Sequence, residues 1–301
     1  MENMQNPATK KEKVCLVIQG GSLRGAHTCG FLKVCADENI HFDTVMGISA
    51  GALHGVSFIG KQLDRAITVQ TRHIKKQEFL SAENLLSSGQ LMNINFLFQA
   101  IKPNKKGLHG VSAFDWTPFD NSPIDFVCGV TDAETGLPVY FRKGDLPNMQ
   151  EAVVASASLP IVTNGYKIGE KLYYDGGIAD PIMLHKAQEE GYGRIVILMT
   201  REYGFRSRAL PEARRAMYQL RYRDYPNFLK ALKDQSLIYN QLYNEIEELE
   251  LAQDPSVFVI RPKTSIAVTF QERSKKLMKA LVKQGMDEAK QIMPKLKEFL
   301  A

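Results

Sequence analysis

The sequence predicts an α/β fold, three layers deep, in which helices cover both faces of a mostly parallel central sheet and a helical appendage follows. Three observations support this prediction. The apolar runs at 14–18 and 195–199 are uninterrupted, as in strands that are buried on both faces of a parallel sheet. A glycine-rich segment and a helical pattern separate the first run from the next strand, which is the order of a βαβ unit. Beyond residue 206 the chain is charged and its apolar spacing is helical.

Composition is that of a globular protein with a large core. The 301 residues are 44% hydrophobic and 24% charged, and the net charge of +5 does not indicate nucleic acid as a partner. No apolar run is as long as a membrane span, and residues 1–13 lack the apolar centre of a secretory signal, so we expect a cytoplasmic protein. The cysteines have no CxxC spacing and are expected to be reduced and buried: Cys15, Cys29, Cys35 and Cys128.

Three regions follow from this pattern. Residues 1–13 form a polar tail, residues 14–205 a catalytic domain built on the sheet, and residues 206–301 a mostly helical region. In the last region helices are predicted over 207–252 and 270–300, with a short strand at 257–260 between them.

The first βα connection is rich in glycine. It reads Gln19-Gly20-Gly21-Ser22-Leu23-Arg24-Gly25, and a helix is predicted over 26–39. Glycines allow main-chain N–H groups to point into one space at a helix N-terminus, where negative charge is favoured. A Walker phosphate loop is excluded because no Gly-Lys-Ser/Thr follows, and a dinucleotide fingerprint is weakened by Ser22. An oxyanion hole is the better account of this loop.

The next strand ends in a candidate nucleophile. Gly47-Ile48-Ser49-Ala50-Gly51 has the Gly-x-Ser-x-Gly pattern between an apolar run and a helix of small residues. Such a serine is forced into a strained turn, and the flanking glycines remove side chains that would collide there. A strand-to-helix turn without catalysis explains the pentapeptide alone equally well.

A dense apolar stretch occupies the middle of the chain. Residues 85–101 carry nine large apolar side chains, and a charged loop at 102–106 follows. Core helices packed on the sheet are the simpler interpretation of this stretch, and a pocket for an acyl chain is the alternative.

Several elements lead up to a second candidate residue. A hairpin is predicted from strands at 125–130 and 138–142, then a helix at 149–158 and a short strand at 171–174 that runs into Asp175. A helix with Pro181 at its first position is predicted over 181–190.

A serine hydroxyl needs a base, and two candidates exist. His185 is the only histidine after both Ser49 and Asp175, and its place within a predicted helix disfavours a Ser-His-Asp triad. Asp175 ends a strand, and Gly176-Gly177 would free the main chain to bring its carboxylate to the sheet edge; an ordinary Asp-Gly turn is the competing interpretation.

Together these motifs resemble the patatin-like phospholipase family, over about residues 14–200. The loop 19–25 is similar to the family's oxyanion loop, 47–51 to its nucleophile elbow, 155–160 to the small-residue segment before the acid, and 175–177 to its Asp-Gly-Gly motif. The resemblance implies an α/β sheet carrying a Ser-Asp dyad that hydrolyses lipid esters by a covalent acyl-enzyme. The chain differs from the family at Ser22, where a third glycine is usual.

The resemblance also assigns roles. Ser49 would be the nucleophile and Asp175 the base, and the oxyanion would be bound by N–H groups of Gly21, Ser22 and Leu23. Supporting roles fall to Gly20, Arg24, Gly25, Gly47, Gly51, Gly176 and Gly177. Arg24 would orient the loop, or simply form a salt bridge. No cofactor and no metal are expected, because the histidine, cysteine and carboxylate residues lack ligand spacing.

Partners and competing functions follow. The expected partner is a lipid ester substrate, and basic residues at 206–223 and 275–283 would allow peripheral contact with an anionic membrane surface, although a solvated helix face is the simpler explanation. An esterase or thioesterase that uses His185 and a non-catalytic module that binds an anionic ligand remain alternatives.

Overall fold

The computed structural model describes residues 12–102, 110–268 and 274–301. Most of the predicted polar tail, most of the charged loop at 102–106 and the start of the last predicted helix lie outside these ranges. The division of the chain after residues 13 and 205 stays a prediction.

The described residues contain one eight-stranded sheet with the order β5-β6-β3-β2-β1-β7-β8, and β4 also pairs with β3. The strands are β1 (Val14–Ile18), β2 (Thr44–Ile48), β3 (Asp125–Asp132), β4 (Pro138–Arg142), β5 (Tyr166–Ile168), β6 (Lys171–Asp175), β7 (Arg194–Leu198) and β8 (Val257–Ile260).

The sheet is mostly parallel, as predicted. Strands β3, β2, β1, β7 and β8 run parallel in that order, and the register pairs Leu16 of β1 with Val45 of β2 and Val196 of β7. Strands β4 and β6 run antiparallel to β3, and β5 antiparallel to β6. In a parallel sheet the carboxyl ends of the strands share one edge, and there β1 leads into the glycine loop and β2 into Ser49.

Helices alternate with these strands. They are α1 (Gly25–Asp37), α2 (Ala50–Ile59), α3 (Leu63–Thr68), α4 (Ala82–Ser88), α5 (Thr117–Asp120), α6 (Gln150–Ser156), α7 (Leu184–Glu189), α8 (Glu212–Arg221), α9 (Pro226–Leu251) and α10 (Lys275–Leu300).

Both faces of the sheet are buried, which gives the predicted three layers. Successive side chains of a strand point to opposite faces. In β1, Leu16 and Ile18 belong to the core that α1, α2 and α10 cover. Cys15 and Val17 belong to the core on the other face, with side chains of α7 and α9. Each such leucine or isoleucine contributes about 1.5–3 kcal/mol of burial free energy.

The C-terminal region is helical, as predicted, and it packs closely on the sheet domain. Strand β8 extends the sheet beside β7, and α10 crosses α1 at two glycines. A Cβ at Gly30 would lie 2.1 Å from the carbonyl oxygen of Val282, and one at Gly285 would lie 2.0 Å from that of His27. Across the same contact, His27 Nε2 lies 2.8 Å from Glu288 Oε2.

Three local predictions were wrong or incomplete. Helix α7 begins at Leu184, so Pro181 precedes it and is not its first residue. Strand β5 was not predicted. The middle segment contains short turns and the short helix α4, and the side chains of Leu85 and Leu86 are exposed (46% and 88%), where burial had been expected.

The four cysteines are free thiols and are buried, as predicted. Burial is also the main cause that raises the pKa of each thiol, which disfavours the reactive thiolate.

No helix in the described ranges combines the length and the apolar character that a membrane crossing requires.

Candidate active site

Ser49 occupies a strained turn between β2 and α2. Its φ is 55° and its ψ −124°, a conformation that non-glycine residues rarely adopt, and it is 8% exposed. The flanking glycines leave the room that the turn requires. A Cβ at Gly47 would lie 2.7 Å from Ala52 Cα, and one at Gly51 would lie 2.2 Å from the carbonyl oxygen of Ile18.

A buried serine holds this turn in place. The N–H of Ser49 donates to Ser156 Oγ at 2.8 Å, and the Ser156 hydroxyl donates in turn to the carbonyl of Gly129 at 2.6 Å. Ser156 is fully buried on α6. Its two hydrogen bonds connect the turn after β2 to β3. Sequence reasoning placed Ser156 only in a segment of small residues, because nothing local indicates a contact between residues 107 positions apart.

Asp175 is fixed at the end of β6 by its own main chain. Its N–H donates to the carbonyl of Ser158 at 3.0 Å, and its carbonyl accepts from Thr131 Oγ1 at 2.9 Å. Oδ1 accepts from the N–H of Gly177 at 2.9 Å. A Cβ at Gly176 would lie 2.2 Å from the carbonyl oxygen of Gly129, so only glycine fits there.

The Asp175 carboxyl group is buried beside the Ser49 hydroxyl. Burial raises its pKa to about 6, and the hydroxyl of Ser49 and the N–H of Gly177 lower the pKa from what burial alone would give. Oδ2 has no hydrogen-bond partner of ordinary geometry in the described part of the chain. The hydroxyl and carboxyl groups are therefore neighbours without a hydrogen bond of ordinary geometry.

The glycine loop runs directly alongside Ser49. A Cβ at Gly20 would lie 2.9 Å from Ser49 Cβ, and one at Gly25 would lie 2.8 Å from His54 Nε2. Gly21 is extended, with φ 174°. Within residues 12–102, 110–268 and 274–301 the N–H groups of Gly20 and Gly21 donate to no protein acceptor, which leaves them free for a bound oxyanion.

Ser22 and Arg24 of the glycine loop have distinctive surroundings. Ser22 has φ 52°, so a non-glycine residue holds the left-handed conformation there, at a cost of roughly 1–2 kcal/mol. Leu23 beside it is buried. No described carboxylate forms a salt bridge with Arg24, so that simpler explanation of the arginine is not supported.

An apolar cavity of about 90 Å³ opens at Ser49. Its walls combine Ser22 and Leu23 of the glycine loop with side chains of α2, α3 and the middle segment. Its apolar lining includes Leu53, Val69, Phe79, Met92, Ile94 and Phe98. Much of the apolar middle segment therefore surrounds a space that ends at the candidate nucleophile.

His185 does not take part in this arrangement. Its side chain is 62% exposed, its Nε2 pairs with Glu245 at 2.7 Å, and it does not line the cavity of Ser49. His54 does line that cavity, and burial lowers its pKa to about 4, so it is neutral at physiological pH. No group of three or more metal-ligating side chains was found in the described ranges.

Comparison with known families divides the chain in two. A family model described as Patatin-like phospholipase matches residues 16–187, and a second, described as a domain of unknown function (DUF6363), matches residues 225–301.

Two curated relatives match part of the chain. The chain is 28% identical over 193 residues to "Uncharacterized protein YjjU" of Escherichia coli (strain K12). The alignment covers 62% of this chain and 52% of that protein. It is 22% identical over 170 residues to "Uncharacterized NTE family protein Mb1092c" of Mycobacterium bovis, with 56% and 44% covered. The chain thus spans about half the length of the curated relatives it matches. Among solved structures, VipD from Legionella pneumophila aligns with a TM-score of 0.46 at 14% identity, over 95% of this chain and 67% of VipD.

Proposed function

The chain belongs to the patatin-like phospholipase family, and we propose that it is a lipid acyl hydrolase in which Ser49 is the nucleophile and Asp175 the base. The observation that carries this proposal is the position of Ser49. Its hydroxyl lies between a buried carboxyl group with a raised pKa and the opening of an apolar cavity.

Acylation follows from these neighbours. The Ser49 oxygen attacks the ester carbonyl carbon while Asp175 Oδ2, which has no other partner among the described residues, accepts the hydroxyl proton. Negative charge develops on the former carbonyl oxygen, and the N–H groups of Gly21, Ser22 and Leu23 are proposed to bind it. When the bond to the alcohol breaks, the proton passes from Asp175 to the alkoxide, and the acyl group stays on Ser49.

Deacylation repeats the same steps with water. Asp175 takes a proton from a water molecule while the oxygen of that water attacks the acyl carbon. The proton then passes to Ser49 Oγ as the fatty acid leaves. Because burial raises its pKa to about 6, Asp175 is a stronger base than an exposed aspartate and is still ionised near pH 7.

The apolar cavity favours lipid esters as substrates. An acyl chain in this cavity would place its carbonyl carbon at Ser49, and the cavity offers it mostly hydrocarbon and aromatic side chains. Short water-soluble esters would leave most of this apolar surface unused.

The direct test compares wild type with Ser49→Ala on monoacylglycerols of long and short chain. We expect wild type to prefer the long chain, and we expect Ser49→Ala to lose at least about 10³-fold in kcat/KM. Activity that survives in Ser49→Ala would refute the role of Ser49. Failure of the wild type to hydrolyse any ester would favour the alternative of a non-catalytic binding module.

We also propose that an anionic lipid surface docks beside the cavity. Helix α8 is almost wholly exposed and carries Arg214, Arg215 and Arg221, with Leu220 77% exposed between them. Arg221 donates to Asn164 Oδ1 at 2.6 Å, and a Cβ at Gly89, at the end of α4, would lie 3.2 Å from Asn164 Nδ2.

Helix α4 connects this surface to the cavity. Its exposed Leu86 lies between Phe79 and Met92 in the chain, and both of these line the cavity. Exposed leucines beside arginines are typical of interfacial binding to anionic lipid.

Vesicle sedimentation tests the docking surface. The double variant Leu86→Glu/Leu220→Glu should bind phosphatidylglycerol vesicles at least about tenfold more weakly than wild type, because both changes put charge against the lipid. Leu251→Glu changes a leucine that is 74% exposed at the other end of the 26-residue α9 and should bind like wild type. Equal binding by all three proteins would refute this surface.

A further inference from the structure

A second cavity lies on the other side of the glycine loop. It has a volume of about 190 Å³ and shares no lining residue with the apolar cavity. Gln19, Gly20 and Arg24 of the loop line it, and Gly20 is the residue packed against Ser49. We call this space the arginine cavity. It is far larger than the roughly 10–15 Å³ that one water molecule needs, so it can hold a group of several atoms.

Two guanidinium groups face the arginine cavity. Arg24 belongs to the glycine loop and Arg201 follows β7, and the Arg201 guanidinium lies over the Phe205 ring at 4.1 Å from its centroid. No described carboxylate forms a salt bridge with either group, and Nε of Arg24 is buried without a hydrogen-bond partner.

The positive charges act on each other. Burial and then the charge of Arg201 lower the pKa of Arg24 to about 10, and the nearby carboxyl group of Glu202 raises it only weakly. Two cations that share a partly buried space without a salt-bridged carboxylate among the described residues repel each other. An anion bound between them would remove that repulsion and supply the missing hydrogen-bond acceptor.

The C-terminal region supplies the opposite wall. Tyr239 and Gln235 of α9 line the arginine cavity together with Ser207. Gln235 Nε2 donates to the carbonyl of Gly177 at 2.9 Å, which ties α9 to the turn after Asp175. The hydroxyl groups of Tyr239 and Ser207 donate to no acceptor in the described ranges and remain available to a ligand.

These donors suit a phosphate group better than a carboxylate. One arginine fork satisfies both oxygens of a carboxylate, whereas this cavity offers two guanidinium groups and two hydroxyls. A phosphate monoester has three unesterified oxygens and more negative charge than a carboxylate.

We propose that the arginine cavity binds a phosphate group, with Arg201 and Arg24 as its counter-charges and Tyr239 and Ser207 as further donors. On the proposed function, the position of this cavity makes the phosphate that of the substrate's head group. The glycine loop separates it from the apolar cavity, so a phosphate-bearing acyl lipid would span Ser49 with its chain on one side and its phosphate on the other. Residues 225–301, which match a family of unknown function, would then form part of the substrate site through α9.

The binding test needs no catalysis. Calorimetry on Ser49→Ala uses inorganic phosphate, glycerol 3-phosphate and glycerol as probes. Both phosphates should bind and glycerol should not, and adding Arg201→Gln should weaken phosphate binding about 10- to 100-fold. Arg201→Lys, which keeps the charge without the fork, should retain an intermediate affinity.

The matched control is Arg208→Gln, which removes the same charge from an exposed arginine seven positions along the chain that does not line the cavity. It should change the affinity less than about threefold. Absence of saturable phosphate binding, or an equal loss in Arg208→Gln, would overturn the proposal.

Kinetics separate the two sources of phosphate. With a monoacylglycerol phosphate (lysophosphatidic acid) and a monoacylglycerol of the same chain, Arg201→Gln should raise KM for the phosphate-bearing lipid at least about tenfold and leave KM for the neutral ester unchanged. If phosphate binds but neither KM changes, the ligand is a free phosphate compound and the head-group assignment is wrong. If the wild type hydrolyses neither lipid, the proposed function fails while the calorimetry still decides the phosphate site.

Discussion

Asp175→Asn should lower kcat/KM for long-chain ester hydrolysis by at least about 10³-fold, because an amide cannot accept the proton of Ser49. The amide oxygen can still accept the N–H of Gly177, now 2.9 Å from Oδ1, so the turn should persist. Steady-state kinetics on a monoacylglycerol measures the loss. The matched control is Asp180→Asn, which neutralises a neighbouring carboxylate that accepts from the Tyr140 hydroxyl at 2.7 Å, and it should remain within about tenfold of wild type.

The pH profile is a second readout of the same residue. The base must be ionised, and burial raises its pKa to about 6, so wild-type kcat/KM should rise about tenfold per pH unit below 6 and level off above it. The residual activity of Asp175→Asn should lack this limb. A profile that is flat down to pH 4 would contradict the role of Asp175.

As pH rises, the free energy of unfolding should fall while activity increases. Because the pKa of Asp175 is raised on folding, from 3.8 to about 6, wild type loses stability as pH rises from about 4 to about 6. Asp175→Asn carries no such charge, so thermal unfolding at pH 8 should show it at least as stable as wild type. This result would separate loss of the base from loss of the fold.

Ala66→Phe should have the second largest effect, and only on long acyl chains. Ala66 lies on α3, is partly exposed, and lines the apolar cavity, so a phenyl ring can enter the 90 Å³ space without opening the core. We expect kcat/KM for p-nitrophenyl palmitate to fall about 100-fold and that for p-nitrophenyl acetate to change less than about threefold.

The control adds the same ring elsewhere. Ala252→Phe alters an exposed alanine at the end of α9 and should leave both substrates unaffected. Equal losses on palmitate and acetate in Ala66→Phe would show a damaged site and would contradict an acyl-chain role for the cavity.

Most of the sheet could be predicted because its strands are local apolar runs. Strands β1, β4 and β8 have the predicted bounds, and the order of strand, glycine loop and helix gave the parallel layout. Strand β5 was missed because it is three residues long and only partly buried, with Lys167 exposed. Strand β5 forms because it pairs with β6, and the sequence of β5 alone has no periodicity that would predict a strand.

The candidate site was predictable where its chemistry is local. Ser49 and Asp175 each lie in a short glycine-containing motif at a strand end, and burial explains the raised pKa of the acid. Ser156, Gln235 and Tyr239 could not be found this way. They lie beside residues far away in the chain, and neither their types nor their spacing distinguish them from other core or helix-face residues.

Labelling of Ser49 by a fluorophosphonate tests the central claim most directly. The reagent forms a covalent bond only with an activated serine, and mass spectrometry of the digested protein identifies the modified residue. We predict one adduct on folded wild type, located at Ser49, with labelling much slower in Asp175→Asn and absent in Ser49→Ala. Folded wild type that remains unlabelled, or that is labelled equally fast without Asp175, would contradict a hydroxyl activated by this carboxylate.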